Sequence, residues 1–205
     1  MEDVPQPWPE VPDWTVLIDL GGSPAAQLSD RLEQALASAL ETGRATDALI
    51  AQTEQQRQDF WRVRESIPEA NRRIGSVSSH DISVPVKAIP DFIAQGPAVL
   101  AAIDPTLRIN CFGHMGDGNL HYNVFPPQGK TRADFEDRRA DIKAAVHDLT
   151  HSFEGSVSAE HGIGRLKVSD LETYGDPTKL MAMRAIKSAL DPHGIMNPGA
   201  VLRAN

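Results

Sequence analysis

The feature that most constrains the fold is a glycine-rich run, Gly-His-Met-Gly-Asp-Gly-Asn-Leu-His, at residues 113–121. It interrupts a longer segment, residues 107–125, whose other residues are mostly of the apolar and aromatic types that strands favour. Asp117 followed by Gly118 is a strong signal for a tight turn, because glycine readily adopts the positive φ that such turns need. The pattern predicts a β-hairpin with its turn at residues 115–119. Asp117 is interpreted as a turn former, with metal binding as the alternative.

Strand-like and helix-like segments alternate along the rest of the chain. The residues predicted as strands are 14–20, 47–53, 76–86 and a short segment through Val157, and those predicted as helices are 25–42, 54–73, 89–103, 131–153 and 179–190. The second helix is expected to break or bend near Pro68. Long helices joined to strands by short turns predict an α+β fold, with helices on one face of a largely antiparallel sheet. The order strand, helix, strand also suggests a ferredoxin-like unit that is used twice.

The domain organisation is predicted from proline content and length. Four prolines fall within residues 1–13, which therefore suit an extended linker better than a helix. Residues 14–205 are predicted to form one domain, which is long enough to bury a sizeable core.

Composition excludes several classes of partner. The net charge is −8 and no basic run occurs, so a nucleic-acid partner is not expected. No apolar run approaches the roughly 18 residues that a transmembrane helix needs, and the proline-rich start does not resemble a signal peptide. Cys111 is the only cysteine, which precludes an intrachain disulfide and fits a reducing, cytoplasmic compartment. Because it lies in an apolar stretch, Cys111 is interpreted as a small buried hydrophobe and not as a nucleophile.

Histidines bracket the predicted turn, and a second polar cluster follows downstream. If the hairpin forms, His114 and His121 become cross-strand neighbours on one face, with Cβ atoms about 5 Å apart. The run Ser-Ala-Glu-His-Gly at residues 158–162 adds Glu160 and His161. Two imidazoles and a carboxylate are the usual ligands of a catalytic divalent cation with an open coordination position. His161 would then be left to accept a proton.

Two further polar groups are candidates for substrate binding. Asn123 lies two residues beyond the second histidine and therefore points to the same face, where it could donate a hydrogen bond to a substrate. One of Arg62 and Arg64 could bind a carboxylate through two parallel hydrogen bonds. The alternative is a solvated helix face on which these arginines pair with Glu65 or Glu69.

Five segments together carry a family resemblance. They are Phe-Trp-Arg-Val-Arg-Glu at 60–65, Asp-Ile-Ser-Val-Pro-Val at 81–86, the 113–121 run with Asn123, Ser-Ala-Glu-His-Gly-Ile-Gly at 158–164, and the ending from 189 to 199. They resemble the C-terminal, or cap, half of FAD-linked oxidases of the vanillyl-alcohol-oxidase type. That group includes the glycolate oxidase large subunit, D-lactate dehydrogenase and D-2-hydroxyglutarate dehydrogenase. The similarity extends over nearly the whole chain from about Trp14.

The resemblance implies a metal-assisted oxidation. His114, His121 and Glu160 would bind a divalent ion, expected to be zinc, that holds the carboxylate and hydroxyl oxygens of a D-2-hydroxy acid. His161 would remove the hydroxyl proton while the hydride on C2 passes to FAD. Residues 14–205 would then be the substrate domain of the enzyme.

The resemblance also implies partners for this domain. Arg64 would bind the substrate carboxylate, Asn123 would add a hydrogen bond, and Asn197 would lie at the cofactor. Family members carry a flavin-binding domain with a glycine-rich phosphate loop, and the sequence has no such loop after its first predicted strand. The flavin domain is therefore expected in the same parent protein or in a separate chain, and the isolated chain is expected to be inactive. Homodimer formation and peripheral association with the inner membrane through an electron acceptor are further expectations.

Two positions depart from the hydroxyglutarate-specific relatives within that group. Those relatives have a lysine where this chain has Ser79, and a threonine where it has Pro68. Both side chains could bind a second carboxylate of the substrate. Their absence favours a different or smaller hydroxy acid, such as D-lactate or glycolate.

Two other function classes remain compatible with the residues. A metal-dependent hydrolase would use the same two histidines, glutamate and neighbouring histidine to activate water. A non-catalytic interaction module with ferredoxin-like sheets would use the histidines only structurally.

Overall fold

The computed structural model describes residues 4–204, apart from the side chain of Pro24. It divides into two compact units, with the boundary between Arg73 and Ile74. Within the described residues, no helix is both long enough and apolar enough to cross a membrane.

The first unit is helical. After a short 3-10 turn at Pro24–Ala26, helix α1 spans Leu28–Glu41 and helix α2 spans Glu54–Ile74. Helix α2 continues through Pro68, where the sequence predicts a break or bend. None of the side chains described between residues 4 and 73 is buried.

Two strand predictions in the first unit are wrong. Residues 14–20 and 47–53 adopt neither strand nor helix. Alternation of apolar and polar residues shows which side chains share a face of a strand, but it carries no information about whether a partner strand lies alongside. A strand without hydrogen-bonded neighbours is not stable, so alternation of apolar and polar residues is not sufficient to predict a strand.

The second unit contains one antiparallel sheet of three strands in the order β1-β3-β2. Strand β1 is Ser78–Ser83, β2 is Arg108–His114 and β3 is Asn119–Phe125. Strands β2 and β3 form the predicted hairpin, and β1 pairs with the other edge of β3. A further bridge joins Ser83 to Ser156, which is all that forms of the strand predicted through Val157.

The helices of the second unit follow the prediction except between residues 153 and 179. Helix α3 is Ile89–Ala101, α4 is Arg139–Ser152 after a 3-10 turn at Arg132–Arg138, α5 is Val168–Tyr174 and α6 is Pro177–Leu190. The short helix α5 was not predicted, because its seven residues are too few to show a helical period. Helix α6 begins two residues earlier than predicted, where Asp176 accepts hydrogen bonds from the N–H groups of Thr178 and Lys179.

The α+β class and the antiparallel sheet are therefore confirmed. The duplicated ferredoxin-like unit does not appear as a second sheet, since residues 4–204 contain only the three-stranded one.

One face of the sheet forms the hydrophobic core. Its strands contribute alternate side chains, which pack against apolar side chains of α3 and α4. The core includes Ile82, Phe92, Leu100, Tyr122, Val124, Ile142 and Val146. Helix α3 approaches the sheet closely at Gly96, where a Cβ atom would lie 2.1 Å from the hydroxyl oxygen of Tyr122. Cys111 packs partly buried against this core, and burial raises the pKa of its thiol to about 12. Its interpretation as a packing residue is confirmed.

The other face of the sheet is polar. Because side chains alternate along each strand, the register places Asp81, His121 and Phe112 in a row across β1, β3 and β2. Asn119 and Asn123 flank His121 on the same face of β3. The polar face thus brings residues that are 40 positions apart in the sequence to adjacent strands.

A candidate metal and catalytic site

The hairpin turn sets the positions of both strand histidines. Asp117 accepts a hydrogen bond from the backbone N–H of Asn119 over 3.0 Å, and Gly118 has a φ of +81°. The carbonyl oxygen of Gly118 accepts from the N–H of Val84, and a Cβ atom at position 118 would lie 2.0 Å from the carbonyl oxygen of Val84. The predicted turn and the turn-forming role of Asp117 are both confirmed.

His114 and His121 lie on the same face of the hairpin, but they are not directly opposite each other. The register pairs His114 with Asn119 and Phe112 with His121, so the two histidines are diagonal neighbours. This corrects the predicted direct pairing, and its cause is the turn, which occupies four residues. The two imidazole centroids are still only 6.0 Å apart.

Glu160 bridges the two imidazoles. Its Oε1 lies 2.9 Å from Nδ1 of His114, and its Oε2 lies 3.3 Å from Nε2 of His121. His114 and Glu160 are about half exposed, whereas His121 is largely covered. The three side chains therefore meet at the surface of the second unit, where a small molecule can reach them.

His161 lies next to this group. Its ring is stacked on that of His121 with centroids 6.0 Å apart and an interplanar angle of 27°. One ligand atom from each of Asp81, His121, Glu160 and His161 lies within 4.8 Å of the others, a cluster compact enough to hold a metal ion. The side chain of His161 is 67% exposed, so its ring is accessible to a small molecule.

Asp81 lies behind the histidines and is almost fully buried. Its Oδ2 accepts hydrogen bonds from the backbone N–H groups of both Glu160 and His161, each over 2.8 Å, and its Oδ1 accepts one from Asn119 over 2.9 Å. Burial alone would raise the pKa of Asp81, but the hydrogen bonds from His161, Glu160 and Asn119 outweigh it and hold the pKa below its ordinary value. The carboxylate therefore remains ionised within the protein.

The segment that carries Glu160 is attached to the rest of the unit at two further points. The amide and carbonyl groups of Ser83 and Ser156 exchange two hydrogen bonds, of 2.8 and 2.9 Å. The ammonium group of Lys167 donates to the carbonyl oxygen of Val157 over 3.1 Å and to Oγ of Ser158 over 3.3 Å. Partial burial lowers the pKa of Lys167.

The three remaining predicted site residues, Asn123, Arg64 and Asn197, lie in different parts of the chain. Asn123 is buried on the polar face of β3, and its amide donates to the carbonyl oxygens of His121 and Asn110 over 3.1 and 3.4 Å. Arg64 belongs to α2 in the first unit, and Asn197 lies in the turn that follows α6, with a φ of 47°. The assignments of Arg64 to the substrate and of Asn197 to the cofactor stay predictions.

Comparison with known proteins identifies the family. Residues 1–201 match the family model described as FAD linked oxidases, C-terminal domain. The chain belongs to this family.

Three curated relatives of this FAD-linked oxidase domain are D-2-hydroxyglutarate dehydrogenases. The chain is 36% identical to a D-2-hydroxyglutarate dehydrogenase of Stutzerimonas stutzeri, over 98% of the chain and 43% of the relative. It is 35% identical to that of Xanthomonas citri pv. viticola, over 97% of the chain and 42% of the relative. It is 34% identical to the mitochondrial protein of Arabidopsis thaliana, over 98% and 35%. The chain therefore spans less than half the length of these relatives.

Asp81 belongs to the candidate site, although the sequence singled it out only as the first residue of the segment at 81–86. A usable signal was present, because aspartate is depleted in strands and residue 81 stands inside an alternating one. A carboxylate at such a position indicates either a hydrogen-bonded cluster or a functional site.

Proposed function

We propose that the chain is the substrate- and metal-binding domain of a flavin-dependent D-2-hydroxy acid dehydrogenase or oxidase. The observation that carries this proposal is the contact of Glu160 with both His114 and His121 at an accessible surface. His161 lies in the same compact cluster as His121 and Glu160. Membership of the FAD-linked oxidase family and the names of the relatives support the reaction class.

The donor set fits a divalent cation. In a tetrahedral zinc site, bonds of about 2.0–2.2 Å place neighbouring donor atoms roughly 3.3–3.5 Å apart. The 3.3 Å between Oε2 of Glu160 and Nε2 of His121 matches this separation, whereas the 2.9 Å between Oε1 and Nδ1 of His114 is a hydrogen-bond length and would increase slightly around a cation. His114, His121 and Glu160 would hold the ion. The bound cation would supply Lewis-acid chemistry to the hydroxyl and carboxylate oxygens of the substrate.

The other residues would orient the substrate and move its proton. His161 would accept the hydroxyl proton at a ring nitrogen, since the side chain is exposed and adjacent to the ligand group. Asn123 and Arg64 would hold the substrate by hydrogen bonds. FAD, bound mainly by a separate domain with help from Asn197, would supply the hydride acceptor.

The residue at position 79 favours a substrate with a single carboxylate. Ser79 pairs with Asn123 across β1 and β3, so it faces the side of the sheet that carries the site. Its hydroxyl group is 2.6 Å from that of Ser76, and it offers no positive charge to a distal carboxylate. The proposed substrates are therefore D-lactate, glycolate or a similar acid. D-2-hydroxyglutarate, which the relatives' names specify, is the competing candidate.

Metal analysis tests the ligand set. The purified chain is expected to retain about one equivalent of zinc, with an anomalous-scattering peak between His114, His121 and Glu160. Replacing both His114 and His121 with alanine should abolish binding, whereas the matched control His193→Ala, an exposed histidine after α6, should not alter it. Absence of any metal in the unaltered chain would favour a non-catalytic interaction module.

Reconstitution tests the reaction class. Joined to the flavin-binding domain of a relative, the chain should bleach the flavin anaerobically with D-lactate or glycolate, and alone it should be colourless and inactive. Stoichiometric FAD in the isolated chain would contradict the assignment of the flavin to a separate domain. Ester or amide hydrolysis by the isolated zinc-loaded chain would favour the hydrolase instead. Activity only on L-acids or phenols would reject the substrate class.

A further inference from the structure

We infer that Asp81 is the positioning residue of the candidate metal site. It fixes the loop that carries Glu160 and His161, and it sets which ring nitrogen of His121 and of His161 faces the cation and the substrate. The inference rests on the proposed function, because it assigns a task to Asp81 within that same site.

The first part of the task is to hold the loop. The N–H groups of Glu160 and His161 both donate to one oxygen of Asp81, at 2.8 Å each. The N–H of Ala159 also donates to the backbone carbonyl of Asp81, over 3.2 Å. Three consecutive amides of the loop are thus anchored to a single residue of β1. Hydrogen bonds to an ionised acceptor are stronger than those between neutral groups, so this anchor depends on the charge of Asp81.

The second part is to set the tautomers of two histidines. Oδ1 of Asp81 lies 3.9 Å from Nδ1 of His121, and Oδ2 lies 3.8 Å from Nδ1 of His161. These distances exceed hydrogen-bond length, but they place a buried negative charge beside each Nδ1. With a cation bound between Glu160 and His121, a carboxylate in this position would favour the proton on Nδ1 and leave the Nε2 lone pair for the cation. Nε2 of His121 is the atom that faces Glu160, 3.3 Å away.

Asp81 is better placed behind the ligands than among them. Its side chain is only 3% exposed, and both of its oxygens already accept hydrogen bonds from Asn119, Glu160 and His161. A cation on Asp81 would have to share an oxygen that already accepts a hydrogen bond. Direct ligation is therefore the competing role, and the experiment must separate the two.

The first measurement uses the unaltered 205-residue chain with one equivalent of Zn²⁺ bound, because in the metal-free chain the nearer carboxylate of Glu160 would itself favour a proton on Nε2 of His121. Long-range ¹H–¹⁵N correlation spectra at mildly alkaline pH report which nitrogen of each imidazole carries the proton. We expect Nδ1–H at both His121 and His161, and backbone N–H resonances of Glu160 and His161 shifted downfield by the charged acceptor. An Nε2–H tautomer at His121 would overturn the inference without any variant having to fold.

The second measurement uses the variants Asp81→Asn and Asp81→Glu, with Asp170→Asn as the matched control. Asp170 is also a buried carboxylate of the second unit, but its partners are Lys143 and His147. We expect Asp81→Asn to weaken Zn²⁺ and Co²⁺ binding by about 10- to 100-fold in competition with a chelator, and to change the imidazole tautomers. The Co²⁺ absorption band should keep its shape. Asp81→Glu should bind with intermediate affinity, and Asp170→Asn should bind as the unaltered chain does.

The outcomes separate this inference from the proposed function. If the unaltered chain binds neither ion, the proposed function fails. If it binds and Asp81→Asn binds equally well with unchanged tautomers, Asp81 has no positioning role. If Asp81→Asn changes the shape of the Co²⁺ band, Asp81 is a ligand and the inference is overturned. A loss of affinity equal to that of Asp170→Asn would show only a general loss of stability and would also overturn it.

Discussion

At the scale of single residues, two buried histidines differ sharply from those of the candidate site. His80 and His147 lie on the core side of the sheet, with ring centroids 5.2 Å apart. Burial lowers the pKa of His80 to about 3 and that of His147 to about 4, and their mutual repulsion adds to the effect at His80. Among the described residues, no group forms a hydrogen bond with Nε2 of His80. Both side chains therefore remain neutral in the folded protein at pH values where the unfolded chain is protonated.

This predicts a loss of stability in mild acid. Between about pH 6.5 and pH 4 the unfolded chain binds protons that the native state does not, so the free energy of unfolding falls as the pH falls. Each histidine should contribute up to about 1.4 kcal/mol per pH unit. Urea midpoints measured from pH 7 to pH 4 test this, and His80→Phe should reduce the slope. An equal slope in that variant would contradict the lowered pKa of His80.

The preference between substrates with one and with two carboxylates is also expected to depend on a single residue, Ser79. In the reconstituted enzyme, Ser79→Lys should raise kcat/KM for D-2-hydroxyglutarate relative to D-lactate by about 10- to 100-fold, because an ammonium group would then face the distal carboxylate. Steady-state kinetics with both acids measure the ratio. Ser152→Lys, at the exposed end of α4, adds the same charge elsewhere and should leave the ratio unchanged. An unaltered ratio in Ser79→Lys would remove position 79 from the substrate pocket.

At the scale of the elements, the hairpin turn offers a matched pair of glycines. Gly118 has a φ of +81° and no room for a Cβ atom beside Val84, whereas nothing lies within 4 Å of a Cβ atom at Gly116. Gly118→Ala should destabilise the protein by about 2 to 4 kcal/mol, from backbone strain and overpacking together. Gly116→Ala should be nearly neutral. Chemical denaturation of both variants measures the difference, and equal midpoints would show that the turn tolerates a side chain.

The hairpin also shows what the sequence could predict and what it could not. Its turn, its strands and the common face of His114 and His121 follow from residues within 20 positions of one another. Which residues of β2 and β3 lie opposite each other depends on the length of the turn, and the sequence alone does not determine that length. The approach of Asp81 to Glu160 spans 79 positions and depends on how β1 and the downstream loop pack, so local patterns could not reveal it. The strand predictions for residues 14–20 and 47–53 are wrong for the same reason, because strand formation depends on a distant partner strand.

At the scale of the whole molecule, burial is distributed unequally between the two units. All buried apolar side chains of the described residues lie at position 77 or beyond. In residues 4–73, α1 and α2 bury none, and apolar side chains such as Trp14 and Val16 are mostly exposed. Helices gain most of their stability in proteins from packing an apolar face against other elements. Neither α1 nor α2 buries such a face.

The rates of backbone hydrogen exchange should therefore differ between the two units. Backbone amides of α1 and α2 should exchange on the order of 100-fold or more faster than those of β3, because local opening in the first unit costs little free energy. Mass spectrometry of deuterated peptides measures this directly. Similar protection in α2 and β3 would show that the first unit is stabilised by interactions other than a buried apolar core.

The raised pKa of Cys111 has a practical consequence for labelling. Its thiolate fraction near neutral pH is very small, and maleimides react with the thiolate, so this thiol should react slowly. No other cysteine competes, since the sequence contains just one. Cysteines introduced at the exposed positions Gln58 and Gln128 could thus receive a donor and an acceptor dye without removal of the native thiol. Energy transfer between them would report the separation of the two units in solution, with and without a flavin-binding partner.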